Sequence, residues 1–361
     1  MSDADTTPHT VGHAASRRCA AVRVEAPRRH GLIEHEVPAP HAGEVLIEVA
    51  AAGVCGSDVE LFEGRRPAPY VRYPVIPGHE WAGRIAAVGP GVEGLPVGAA
   101  VVAEGFRSCG VCVRCRAGEP TLCTADYAET GFTHPGAFSN LLVVPSRLVH
   151  LLPAALPPGT ELADCALLEP AACVAAGLLA AQPRPGGHVT VLGTGTLSLL
   201  AVQMLAAYRP ASLTVVGRGD QHFALAESFG ATRCVRSGDA GGLAAVDGRA
   251  DLVFEATGAA VMVPLAFDLA RRGGTVLLEG IAGTGTIEMD PDVFALKQLT
   301  VRGVFGAGPA AWSHAIDQLR TGVLDLPSLV SHRLPLTDYA RGMALLADRP
   351  PALKKVLFLP V

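Results

Sequence analysis

The hydrophobic pattern of this 361-residue chain changes character partway along. From about Cys19 to Val149, apolar residues come in short runs such as Cys19–Glu25, Glu44–Ala51 and Trp81–Val88, punctuated by turn formers like Val-Gly-Pro-Gly at 88–91. Short runs of this kind, with little helical periodicity, predict β-strands. Near Thr160 the texture shifts. Leu167–Gln182 is rich in Ala and Leu and predicts a helix, after which strands and helices alternate. Strands are expected at His188–Gly193, Leu213–Gly217, Arg233–Arg236, Asp251–Glu255, Thr275–Gly280 and Thr300–Phe305. Helices are expected at Leu197–Tyr208, Asp220–Phe229 and Val263–Arg271. Such a series implies a parallel sheet with helices on both faces. Beyond Gly306 the pattern returns to helix and loop, with a closing strand at Val356–Leu359. The expected fold is therefore α/β: a β-rich domain into which a doubly wound nucleotide domain is inserted.

Composition narrows the function. About half the residues are apolar and only 17% are charged, which calls for a large interior. The net charge of −5, without a basic run, leaves no electrostatic footprint for nucleic acid or for an anionic membrane. The start is polar and mixed in charge, and 1–17 reads as a flexible tail rather than a signal peptide. Pro185–Tyr208 is uncharged and long enough to cross a bilayer, but its Gly-Thr-Gly-Thr interruption fits a buried strand-turn-helix better. Nine cysteines, four of them within fifteen residues, argue for metal over disulfides and for a reducing cytoplasm.

Three constellations carry chemistry. Cys109, Cys112, Cys115 and Cys123 have the spacing C-x2-C-x2-C-x7-C, which can wrap one Zn²⁺ in a closed structural site. Cys55, His79-Glu80 and Glu169 offer thiolate, imidazole and carboxylate donors, the set of an open catalytic zinc, though each has an ordinary structural reading when taken alone. The apolar strand from Val189 runs into Gly193-Thr-Gly195-Thr-Leu-Ser198 and then a helix, a turn that lets backbone approach a pyrophosphate at the helix N-terminus. Ser198 stands where a third glycine is expected. The next strand ends in Gly217-Arg218 instead of an acid, which favours NADP(H) over NAD(H): a guanidinium can pair with a 2′-phosphate that a carboxylate would repel.

With these in place, the chain resembles the zinc-containing medium-chain dehydrogenase/reductase superfamily over nearly its whole length, and within it sorbitol, polyol and threonine dehydrogenases. The shared marks are Ala-Gly-Val-Cys-Gly-Ser-Asp at 52–58, Pro-Gly-His-Glu at 77–80, Val-Gly-Pro-Gly-Val at 88–92 and the cysteine lobe. They continue with Leu-Leu-Glu-Pro at 167–170, Glu-Ala-Thr-Gly at 255–258, Val-Arg-Gly-Val-Phe at 301–305 and Ser-His-Arg-Leu-Pro-Leu at 331–336. The resemblance implies a GroES-like catalytic domain at 18–165 and 307–361, a zinc lobe at 104–124 and a Rossmann domain at 166–306. It implies two zinc ions per chain, the catalytic one on Cys55 and His79 with either Glu80 or Glu169 completing the shell. Ser57 falls where the family takes the substrate proton. Cofactor contacts are implied at Gly193, Gly195, Thr196, Leu197, Gly217, Arg218 and Thr257.

Two positions depart from the family. Glu60 stands where a relay histidine is common; a carboxylate can still take a proton, or the relay is rerouted or shifted in pH. Gly306 stands where sorbitol dehydrogenase-like chains carry an arginine, which weakens the case for sorbitol. The expected activity is hydride exchange between a secondary alcohol or its carbonyl and the nicotinamide. The rivals are a carbonyl or zinc-free quinone reductase on the same scaffold and a non-catalytic protein on this fold. A homodimer or homotetramer joined at Thr300–Phe305 is implied. Phe106, Phe132 and Trp81 are assigned to packing, Cys19, Cys165, Cys173 and Cys234 to the core, and His150, His188 and His332 to surface or capping roles.

Overall fold

A computed structural model describes residues 16–281 and 286–361; the tail expected at 1–17 lies outside them except for its last two residues. Strands β1 (Arg17–Ala26) and β2 (Arg29–Val37) form an antiparallel hairpin. They are followed by β3 (Glu44–Gly53) and helix α1 (Gly56–Glu63), which ends at Gly64 in the left-handed region (φ 76°). Next come β4 (Glu80–Val88), β5 (Ala100–Ala103), the short α2 (Val113–Arg116), β6 (Leu141–Pro145) and β7 (Val149–Leu151). β3 is buried along most of its length, which fits its place between β4, β6 and a strand from the far end of the chain.

A 3₁₀ segment at Leu162–Leu167 leads into α3 (Leu168–Ala181) and packs over β3 and β4. Leu162–Ala181 is long and apolar enough to cross a membrane by composition, yet two thirds of its apolar window is buried inside the protein. The nucleotide domain then alternates as expected: β8 (His188–Leu192), α4 (Thr196–Ala207), β9 (Ser212–Gly217), α5 (Phe223–Ser228), β10 (Arg233–Arg236), α6 (Ala240–Ala244), β11 (Ala250–Glu255), α7 (Met262–Leu269), β12 (Ala270–Leu278), α8 (Asp292–Lys297) and β13 (Thr300–Gly303). All six strands are parallel, in the order β10-β9-β8-β11-β12-β13, which leaves β13 at an edge. The order reverses between β8 and β11, the switch point at which such sheets open a crevice for a ligand.

After α9 (Pro309–Arg320), β14 (Val330–Pro335), α10 (Tyr339–Asp348) and β15 (Lys355–Leu359) return to the first sheet, ordered β14-β15-β3-β4-β5-β7 with β6 on β3. The strand at Val330–Pro335 replaces an expected helix-and-loop stretch. Its residues are mostly half-exposed at a sheet edge, so little apolar alternation marks it. α5 is shorter than the expected helix because Asp220, Gln221 and His222 are spent in the turn before it, with Phe223 N–H donating to the Asp220 carbonyl.

Two cores result. One gathers Ile47, Leu61, Trp81, Phe138 and Phe358. The other packs α3 and α4 with Trp312, Ala315 and Leu319 of α9 under the parallel sheet. Val189–Leu192 and most of α4 are buried there, so the uncharged stretch from Pro185 is a strand-turn-helix of the interior.

Candidate active site and metal centres

Cys55 stands at the N-cap of α1 with extended backbone (φ −109°), and its N–H donates to Asp58 Oδ2 at 2.9 Å. His79 and Glu80 enter β4 from Gly78 (φ +97°), where the Phe138 ring and backbone fill the space of any side chain. Donor atoms of Cys55, His79 and Glu80 lie within 4.8 Å of one another, and the latter two residues are buried. Asp58 Oδ1 is 3.7 Å from His79 Nδ1, and neither buried atom has a hydrogen-bond partner. Burial alone would lower the His79 pKa; the charge of Asp58, helped by Cys55 and Glu169, outweighs it and holds the pKa well above the usual value.

Glu80 is not alone. Lys355 Nζ donates to its two carboxylate oxygens at 2.6 and 2.8 Å and to the Val54 carbonyl at 3.2 Å. Glu169, in the first turn of α3, has its pKa pushed up to about 7 by burial first and by Glu80 and Glu129 after it. Its Oε1 accepts from Cys173 Sγ at 3.7 Å, so a cysteine assigned to the core borders the site. Ser57 Oγ is 3.9 Å from Cys55 Sγ. Glu60 is on the next turn of α1, with Oε1 3.6 Å from Arg65.

The four clustered cysteines also converge. Their sulfurs lie within 4.8 Å of one another, with 3.9 Å between Cys109 and Cys115 and 4.0 Å between Cys112 and Cys123. A tetrahedron with zinc–sulfur bonds near 2.3 Å has edges of about 3.8 Å. Backbone N–H groups of Cys109, Cys112 and Cys115 point at the sulfurs of Cys123, Cys109 and Cys112 at 3.3–3.5 Å. Bonds from Cys115 and Thr124 pull the Cys112 thiol down to about 5, whereas burial and then the neighbouring Cys112 push the Cys115 thiol up to about 11. All nine cysteines are free thiols.

At the switch point, Gly193 has φ +113° and donates to the Val216 carbonyl at 2.8 Å. A side chain there would run into Ser198 and Thr257. Gly195 caps α4 and faces open space, followed by Thr196 and Leu197 in its first turn. Gly217 is closely packed: a Cβ there would meet Thr194 at 2.8 Å and the Phe223 ring at 3.0 Å. Arg218 follows it and is exposed. Thr257 is tied to buried Glu255, which accepts from its N–H at 2.7 Å and from its hydroxyl.

Two family models match. The alcohol dehydrogenase GroES-like domain covers residues 41–154 and the zinc-binding dehydrogenase covers 195–321. The 2-dehydro-3-deoxy-L-galactonate 5-dehydrogenase of Pseudoalteromonas atlantica is 30% identical over 331 residues, 90% of this chain and 94% of that one. The chain belongs to the zinc-containing alcohol dehydrogenases. A zinc-binding dehydrogenase of Sinorhizobium meliloti 1021 bound to NADP superposes with a TM-score of 0.87 at 28% identity, covering 95% of this chain and all of that one. The RspB alcohol dehydrogenase of Escherichia coli CFT073, complexed with NADH, gives 0.86 at 28% identity over 95% and 99%. This chain is thus a zinc-dependent alcohol dehydrogenase of the medium-chain superfamily, built from a GroES-like and a Rossmann domain.

Several residues of this dehydrogenase's site escaped sequence reasoning. Asp58 is in the zinc-cysteine motif, but only the fold sets its carboxylate against His79. Lys355 reaches Glu80 across 275 residues. Arg66 bonds Glu129 and Tyr127 at 3.1 Å each and stacks 3.7 Å over the Phe132 ring, whose centroid is 4.8 Å from His79. His222 donates from Nδ1 to the Thr194 carbonyl at 2.9 Å, beside the cofactor turn. Of the histidines assigned to the surface, His150 instead contacts buried Glu104 at 3.2 Å and stacks on Trp312.

Proposed function

We propose that Cys55, His79 and Glu80 hold the catalytic zinc of this dehydrogenase, with Glu169 alongside, and that Cys109, Cys112, Cys115 and Cys123 hold a second, structural zinc. The observation that supports the reading most is the convergence of thiolate, imidazole and carboxylate donors in a buried place, with His79 Nδ1 facing an unpartnered Asp58 oxygen. With zinc on the other ring nitrogen, Nδ1–H has Asp58 to receive it, and the tautomer is set. When bound, zinc supplies positive charge that lowers the pKa of the substrate hydroxyl, and the nicotinamide takes or returns the hydride.

The chain's own residues do the rest. Ser57, at the first turn of α1, is the proposed acceptor of the substrate proton. Glu60 is the proposed next carrier, with Arg65 beside it to stabilise its charge. Lys355 neutralises Glu80, so that the donor set does not accumulate unbalanced negative charge. Gly193 and Gly195 admit the pyrophosphate to the α4 N-terminus, and Thr196, Leu197, Gly217 and Thr257 line its path. Arg218 is the proposed partner of a 2′-phosphate, which makes NADP(H) the preferred cofactor and a secondary alcohol or its ketone the substrate.

The domain division, with 18–165 and 307–361 catalytic and 166–306 nucleotide-binding, is our proposal too, with α9 packing on α3 across it. So are a cytoplasmic location, in keeping with nine free thiols, and a homodimer or homotetramer joined through the β13 edge.

Zinc analysis of wild type, Cys55→Ser and Cys112→Ser, alongside turnover with NADP⁺ and NAD⁺, tests the site. The expected contents are two, one and one zinc per chain, with turnover lost in Cys55→Ser. Equal zinc in wild type and Cys55→Ser would sink the catalytic assignment.

A further inference from the structure

Four aromatic rings close a circuit where the two domains meet. Tyr70 packs on Tyr127 at 4.8 Å, Tyr127 on Phe106 at 5.8 Å, Phe106 on Phe305 at 5.3 Å, and Phe305 back on Tyr70 at 6.1 Å, all edge to face. Three rings belong to the catalytic domain. Phe305 follows β13 at the carboxyl end of the parallel sheet, so the circuit bridges the domains. It is also tied to the zinc donors: Tyr127 bonds Arg66, Arg66 stacks on Phe132, and Phe132 touches His79. Phe106 and Tyr127 are largely covered, whereas Tyr70 and Phe305 remain 39% and 41% exposed. The circuit thus leaves two aromatic side chains partly open, connected through Tyr127, Arg66 and Phe132 to His79.

Two further observations bear on what those rings take. Gly306 has φ +72°, and a Cβ there would come within 3 Å of the Phe106 ring. The Phe106 ring thus excludes any side chain, polar or not, at this position. The buried cations next to the site are already matched, Arg66 by Glu129 at 3.1 Å and Lys355 by Glu80 at 2.6 Å. Neither has charge to spare for a phosphate or carboxylate.

We infer that the substrate is a neutral alcohol bearing an aromatic or similarly flat apolar group, which packs on Tyr70 and Phe305 while the carbinol faces Cys55 and His79. This rests on the zinc-site reading above. Flat apolar surface stacks favourably on such rings, whereas a phosphate or sugar acid would bring its charge to buried cations already paired with carboxylates.

The test combines kinetics with a binding measurement that needs no reaction. The zinc-loaded enzyme is assayed with 1-phenylethanol, 2-propanol, sorbitol, a sugar-alcohol phosphate and L-threonine, each with NADP⁺ and NAD⁺. We expect kcat/KM for 1-phenylethanol to exceed each of the others by about 100-fold or more, the discrimination a well-fitted pocket reaches. Tyr70→Ala and Phe305→Ala, each checked for an unchanged melting temperature, should cut the 1-phenylethanol to 2-propanol ratio about tenfold, mainly through KM. In parallel, 1-phenylethyl methyl ether, which has no hydroxyl to oxidise, should show saturation transfer by NMR from wild type and much less from either variant. Preference for sorbitol, the phosphate or threonine would overturn the inference and leave the zinc site standing. If no alcohol reacts although two zinc ions are bound, the site reading fails instead. The ether then decides this inference by itself: transfer lost in the variants supports it, and no transfer from wild type overturns it.

Discussion

Lys355 Nζ sits 2.6 and 2.8 Å from the two carboxylate oxygens of Glu80, with both side chains buried. The last strand of the chain thereby supplies the counter-charge for a proposed zinc donor at the start of β4. Removing one member of a buried pair costs about 3–5 kcal/mol, because the other is left charged in a poor solvent. Lys355→Met should therefore lower the melting temperature sharply, and added zinc should restore part of the loss by replacing the missing positive charge. Melting curves with and without zinc check this. An unchanged curve would mean that the pair contributes nothing.

In the proposed zinc site Asp58 would act on the metal through His79. Asp58→Asn removes the charge 3.7 Å from Nδ1, and losing such a partner typically weakens metal binding about 10–100-fold. Zinc content after dialysis against a chelator should fall from two to one per chain at a chelator concentration that wild type withstands. Retention of both ions would remove Asp58 from the account.

Arg218 is exposed at the end of β9, beside a closely packed Gly217. Arg218→Ala should weaken NADPH binding about tenfold or more, by loss of a charge-assisted contact, and leave NADH binding nearly as it was. Fluorescence titration of both cofactors separates the two effects. Parallel weakening of both would mean that the residue supports the turn and does not read the phosphate.

Glu279, just after β12, is buried, and neither carboxylate oxygen has a hydrogen-bond partner. Its pKa is pushed up to about 8, by burial first and then by the charges of Glu169 and Glu255. The folded chain holds this proton more tightly than the unfolded chain, where the pKa is about 4.3. Its contribution to stability is complete below that value and is lost as pH rises through about 8. Glu279→Gln cannot ionise, so its stability advantage over wild type should widen between pH 5 and 8 by up to about 1.4 kcal/mol per pH unit, then level off. Urea denaturation at three pH values measures the gap. A gap independent of pH would show that Glu279 is paired in solution.

Local pattern made much of this protein legible. The glycine turn at Gly193–Gly195 and the cysteine spacing at 109–123 are read within one stretch of chain, because each works through neighbours a few residues away. The strands of the parallel sheet are buried on both faces and stand out as apolar runs. β14 did not, since an edge strand of mixed polarity carries no such signal. Tyr70, Phe106, Tyr127 and Phe305 are ordinary aromatics in the sequence; only the closing of the two domains sets them in a circuit.

The sequence by itself determined the alternation of elements, the zinc-type donors and the absence of an acid at Gly217, for these depend on residue type and local spacing. Tertiary structure alone decided which charges meet. Lys355 with Glu80, Asp58 with His79 and Arg66 with Glu129 are pairings at short range between groups held by different segments or turns. Hydrogen bonds need contact within about 3 Å and ion pairs are strong only at close range, so such partners are chosen by folded geometry and leave no periodic mark along the chain.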